Sequence, residues 1–114
     1  AVVNLWHTLD VELSELCKYY YHHSLADGRN IDYAAVHALA AIVVGHIKRG
    51  ERVLVHCYGG RNRAGLICSL AMGKYLNITG AEAADRFMQA RPNSLVNPHF
   101  LKYLKGLPKS CPQQ

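Results

Sequence analysis

Short apolar runs rich in β-branched or aromatic residues alternate along this chain with longer stretches whose apolar positions recur every three or four residues. Residues 2–6, beginning Val2-Val3, read as a strand, and residues 9–17 carry apolar side chains at helical spacing. The aromatic run at 18–22 reads as a second strand, and 31–49 as a long Ala-rich helix with basic residues in its last turn and Gly50 as its C-terminal cap. Residues 52–56 form the next apolar strand pattern and 64–76 the helix after it. Thr79-Gly80-Ala81-Glu82 is a capping box that opens a further helix, which Pro92 closes. Asn97 and Pro98 supply an N-cap and a first-turn proline for a final helix reaching Leu104 or Lys105. Strands interleaved with helices predict an α/β domain, a central and mostly parallel sheet with helices on both faces.

A length of 114 residues allows one domain spanning 1–114 and leaves no room for a second, and no linker, repeat or low-complexity tract interrupts it. The apolar content of 31–49 invites a membrane reading, but Asp32, His37, Gly45 and His46 interrupt it, so a helix packed on the sheet is expected. The formal charge of +5 suits an anionic substrate and equally suits a solvated surface, so it decides nothing alone. Lys102, Lys105 and Lys109 read as a solvated face, whereas Arg29 and Arg61 are the basic residues expected to border a site. Cys17, Cys57, Cys68 and Cys111 have no metal-ligand spacing. Cys68 reads as a small core residue, a resolving thiol being the other reading open to it and to Cys17.

The chemistry concentrates at 56–63. Cys57 lies where the 52–56 strand ends, Gly59 and Gly60 follow, and Arg63 stands at the start of the next helix. Backbone amides of Tyr58, Gly59, Gly60, Arg61, Asn62 and Arg63 should therefore converge at a helix N-terminus, where an anion is favoured. A thiol in that field is expected to fall from about 8.5 into the range of roughly 3.5–7.5 and to act as a nucleophilic thiolate. Arg63 adds a planar fork of donors that takes two oxygens of a tetrahedral phosphate, which a lysine cannot do. Phosphoryl transfer asks mainly for such positioning and charge stabilisation.

His56-Cys57, Gly60 and Arg63 match the HCxxGxxR signature, so the chain resembles the cysteine-based protein tyrosine phosphatases, and the setting is similar to their dual-specificity branch. The resemblance implies a phosphatase that works in a reducing, cytoplasmic compartment through a phosphocysteine on Cys57. It implies phosphotyrosine, phosphoserine or phosphothreonine proteins as substrates, phosphate-like anions as ligands, no cofactor and no metal. Members usually carry one or two more strands and a helix before this point, so the chain reads as N-terminally truncated. The family's general acid sits in a loop at the place of Asp27, thirty residues before Cys57. Asp32 is the rival, although a carboxylate at a helix start has an ordinary capping use. His56 takes the place of a histidine that braces the loop.

Two departures open alternatives. Ala64 stands where a serine or threonine normally donates to the thiolate, which should slow breakdown of the phosphocysteine or leave a silent phosphate-binding module. Asn62-Arg63 is also similar to the loop ending of RNA 5′-triphosphatases of the same fold, the one reading in which nucleic acid is a substrate. Low-molecular-weight phosphatases carry the loop near the N-terminus with the acid downstream, and the order here excludes that layout.

Overall fold

The computed structural model describes residues 1–26, 28, 31–57 and 62–109. The expectations placed on Asp27, Arg29, Tyr58, Gly59, Gly60, Arg61 and Cys111 lie outside the described residues. In chain order the elements are β1 (Val2–Asn4), α1 (Val11–Leu16), β2 (Tyr20–His22), α2 (Tyr33–Lys48), β3 (Leu54–His56), α3 (Arg63–Leu76), α4 (Gly80–Ala90) and α5 (Pro98–Lys105). The three strands pair entirely in parallel in the order β2-β1-β3, with Val2 opposite both Tyr20 and Leu54. This is the expected α/β class with a parallel sheet at its centre. All three residues of β1 are buried, and because successive side chains point to opposite faces, both faces of the central strand are covered.

Order β2-β1-β3 means the chain leaves β1 toward one neighbour and later crosses to the other. The carboxyl ends of β1 and β3 therefore flank a topological switch point, the crevice where open α/β sheets bind ligands. Leu5 continues past β1, its N–H donating to the His56 carbonyl at 2.8 Å, and it is fully buried with Val3 in the core. That core is completed from the helices by Val36 and Val43 of α2, Leu66, Ile67 and Leu70 of α3, and Phe100 and Leu104 of α5.

Local signals set most boundaries. Asp10, Asp32, Thr79 and Asn97 each accept a first-turn N–H into the side chain, capping α1, α2, α4 and α5. The capping box at Thr79 is half formed: Glu82 N–H donates to Thr79 Oγ1, but the Glu82 carboxylate pairs with Arg86 at 2.6 Å. Gly50, at φ 77°, follows the α2 cap Arg49, and its N–H reaches Ile47 O while Glu51 N–H reaches His46 O, a Schellman ending. Gly80 is held closer than any side chain permits, since a Cβ there would stand 1.9 Å from the Leu104 carbonyl. The α1 pattern did not become a core face: none of its residues is buried, and Leu9, Val11 and Leu16 are exposed.

Candidate active site

Cys57 is the first residue past β3 and is buried, at the switch-point edge of the sheet. Arg63 is the first residue of α3 and is only 9% exposed. Placing a cation at a helix N-terminus opposes the helix dipole, and burying it costs more unless a counter-charge is near. One end of the guanidinium is anchored: Nη1 donates to the Leu25 carbonyl at 3.1 Å. The Trp6 ring lies against it, 5.3 Å from Cζ to the ring centroid. Arg63 Nε is buried with no hydrogen-bond partner among the described residues, and no described carboxylate pairs with the side chain.

The N-terminus of α3 differs from the other helix starts. Asn62, at its N-cap position, has helical dihedrals (φ −98°, ψ −58°) and makes no side-chain cap. Its Oδ1 instead accepts the Asn97 N–H at 2.9 Å. The first amides of α3 are thus left to something other than the Asn62 side chain, on the helix whose first residue is the buried Arg63.

Trp6 is fixed by the loop after β1. Asn4 Oδ1 accepts the Trp6 N–H at 2.9 Å, Asn4 Nδ2 donates to Thr8 O and to the Tyr20 hydroxyl, and a ring nitrogen of His22 bonds Trp6 O at 2.7 Å. Neither Trp6 nor Leu25 was visible as a site residue from sequence spacing. Their one signal was position, Trp6 just past the carboxyl end of a parallel strand and Leu25 beside the candidate acid.

Asp32 has the capping use expected of it, with Oδ1 accepting Ala35 N–H at 3.2 Å. His56 is half-buried, and its Nε2 is buried without a partner among the described residues. Ala64 is buried in the first turn of α3. Cys68 is half-buried rather than a closed core residue. Its thiol is pushed up to about 11, first by burial and then by the charge of Cys57, so at neutral pH it is a protonated thiol and a poor attacking group. Lys102, Lys105 and Lys109 are exposed, as a solvated face requires.

Residues 7–83 match the family described as Cyclin-dependent kinase inhibitor 3 (CDKN3). The chain belongs to that family. The CDKN3 family is one of dual-specificity phosphatases within the cysteine-based tyrosine phosphatase superfamily. A probable dual specificity protein phosphatase of Dictyostelium discoideum is 29% identical over 86 residues, 75% of this chain and 22% of that protein. The chain thus spans less than a quarter of the curated relative it matches. Human DUSP28 superposes with a TM-score of 0.76 at 20% identity, covering 91% of this chain and 70% of that one. A mouse putative dual specificity phosphatase complexed with zinc tungstate also gives 0.76, at 17% identity, covering 91% and 65%. These two likenesses establish the fold. Among the described residues no helix is long and apolar enough to cross a membrane, and no three His, Cys, Asp or Glu side chains gather as a metal site would need.

Proposed function

We propose that this chain hydrolyses phosphomonoesters on phosphotyrosine, phosphoserine and phosphothreonine proteins through a phosphocysteine on Cys57. The observation that carries the reading is Arg63, a buried guanidinium at the first position of α3 whose Nε lacks a partner among the described residues. A buried cation that no described residue neutralises is unfavourable unless another group or a ligand supplies the missing charge and acceptors. Phosphate supplies both. The mouse neighbour solved with zinc tungstate lends support, because tungstate is a tetrahedral oxyanion of phosphate's shape.

The thiolate of Cys57 attacks phosphorus in line as the P–O bond to the leaving group breaks. Asp27 gives its proton to the departing oxygen. Arg63 and the loop amides hold the equatorial oxygens throughout. Water then attacks phosphorus, passing its proton to Asp27, and the P–S bond breaks to return the thiolate and release inorganic phosphate. His56 braces the loop. Ala64 offers no hydroxyl to the departing thiolate, which makes the second step the slow one. The Asn62 contact with Asn97 gives that asparagine a use inside the fold, so its presence beside Arg63 does not favour RNA triphosphate hydrolysis.

Rapid mixing with p-nitrophenyl phosphate tests the scheme. Wild type should release a burst of about one phenolate per site before a slower steady state. Cys57→Ser should lose turnover by ~10³-fold or more while still binding vanadate. Residual turnover within about tenfold of wild type in Cys57→Ser rejects the covalent route. Vanadate binding with no turnover in wild type identifies a silent phosphate binder instead.

A further inference from the structure

Asn4 stands in the middle strand of the sheet, where both faces are covered and an apolar side chain is expected, and it is 1% exposed. Its carboxamide is spent on the loop that follows. Oδ1 accepts the Trp6 N–H, which fixes the other end as the donor, and Nδ2 reaches Thr8 O at 3.0 Å and the Tyr20 hydroxyl at 2.7 Å. His22 holds the same residue from β2: a carbonyl only accepts, so Nε2 carries a proton and donates to Trp6 O. Both backbone polar groups of Trp6 are therefore held by side chains, one from β1 and one from β2. A buried amide is costly unless its bonds are made, and here those bonds set the position of one indole.

That indole lies against Arg63, with Cζ 5.3 Å from the ring centroid, while Nη1 donates to the Leu25 carbonyl at 3.1 Å. The two contacts restrain different freedoms of the guanidinium. The carbonyl pins one nitrogen, and the ring holds the central carbon through the attraction of its quadrupole for a cation. A carboxylate in the ring's place would hold the group more tightly, yet it would cancel the charge and take up donors that an oxyanion needs. The ring does neither. No described carboxylate pairs with Arg63, and the edge carrying the buried Nε has no partner there among the described residues.

We infer that Trp6 is a positioning residue, its indole holding the Arg63 guanidinium in the orientation from which it grips a phosphoryl group while leaving the positive charge uncancelled. The inference rests on the phosphatase reading above and concerns how the arginine of that reading is prepared. Trp6 transfers no proton and contacts no reacting atom. Because preorganised donors act most strongly in the transition state, its loss is felt as slower turnover of every substrate that Arg63 serves.

Trp6 is the single tryptophan of the chain, so its emission, excited beyond the tyrosine absorption, reports on this one residue. Arg63→Met should shift the emission of the ligand-free protein, and inorganic phosphate should shift that of wild type over the concentrations at which it inhibits turnover. The kinetic arm compares Trp6→Phe, which keeps a ring with a weaker quadrupole, with Trp6→Leu, which keeps apolar bulk without one. Trp6→Leu should lower kcat about 3- to 30-fold, by the same factor on p-nitrophenyl phosphate and on a phosphotyrosine peptide, and Trp6→Phe should recover most of the loss.

A loss confined to the peptide makes Trp6 a contact for the substrate's flanking residues and overturns the inference. Equal losses in the two Trp6 variants assign the residue to shape alone and overturn it too. Emission that neither Arg63→Met nor inhibitory phosphate moves shows that the contact with Arg63 is not made in solution, which removes the inference while leaving the phosphatase reading intact. Wild type without turnover on either substrate rejects that reading, and the positioning role falls with it.

Discussion

Two buried basic side chains, His46 and Arg63, stand in opposite relations to their surroundings. His46, 1% exposed near the end of α2, is satisfied from within the protein. Its Nδ1 lies 2.6 Å from Glu51 Oε1 and its Nε2 2.8 Å from the Tyr21 hydroxyl. A carboxylate at that distance requires a proton on Nδ1, and in the neutral ring with that tautomer Nε2 accepts from Tyr21. Arg49 Nη2, 2.8 Å from the same Nδ1, then cannot donate to it and serves Glu51 instead, at 3.2 Å. Arg63, buried almost as deeply, has one carbonyl, one aromatic face and a buried Nε that no described residue serves. A polar group completed by the protein stabilises the fold, whereas one left incomplete costs stability until a ligand arrives.

The sharpest way to break this contrast is Arg63→Lys. Lysine keeps the charge but loses the planar fork, so turnover on p-nitrophenyl phosphate should fall by about 10³-fold. The same comparison has a thermal form. Saturating vanadate at 100 times its Kd should stabilise wild type by about 2.7 kcal/mol and the lysine variant far less. Stability without ligand should fall by no more than the Leu25 bond and the Trp6 contact supply, about 1–2 kcal/mol, because no described residue serves Nε. A variant that loses stability in the absence of ligand yet keeps turnover would place Arg63 with His46.

His46→Ala is the converse. It leaves a cavity and strands the Tyr21 hydroxyl, a cost of about 2–4 kcal/mol, read as a lowered urea midpoint. Turnover per folded molecule should stay within about threefold of wild type, because the described partners of His46 are Tyr19, Tyr21, Arg49 and Glu51. A kcat loss comparable with that of Arg63→Lys would erase the distinction between the two sites.

Legibility follows the range of the interaction. The caps at Asp32, Thr79 and Asn97, the glycine after α2 and the end of α5 were readable because each depends on residues within a few positions. Strand limits were not. Apolar runs at 2–6, 18–22 and 52–56 shortened to three residues each, since a strand ends where its neighbours' register stops, and that register begins at Val2 opposite Tyr20 and Leu54. At the candidate site, the positions of Cys57 just past β3 and of Arg63 at the start of α3 were readable because one local motif carries both. The contacts of Arg63 with Leu25 and Trp6, and of Asn97 with Asn62 and Gly28, join residues 35 to 69 positions apart. Asn97 looked complete as a cap, and nothing local advertised the second end of its amide.

The smallest effect concerns pH and tests whether the His46 cluster is held by charge as well as by packing. The hydrogen bond from His46 holds the Glu51 carboxyl below its ordinary value, with the charge and hydrogen bond of Arg49 adding to it and partial burial opposing. A carboxyl whose folded value is depressed stabilises the fold wherever it is ionised in both states, above the ordinary glutamate value of about 4.3. That contribution declines as pH falls through the interval between the ordinary and the depressed value, and it is gone once the folded carboxyl is protonated. The melting-temperature difference between wild type and Glu51→Gln should therefore be positive and level from pH 7 to 5, shrinking toward zero in stronger acid. Turnover in Glu51→Gln should match wild type across the level region. A difference that grows on acidification reverses the sign of the linkage. A level difference down to the acid-unfolding limit assigns the contribution of Glu51 to shape alone, and the contrast with Arg63 then rests on hydrogen bonding without charge.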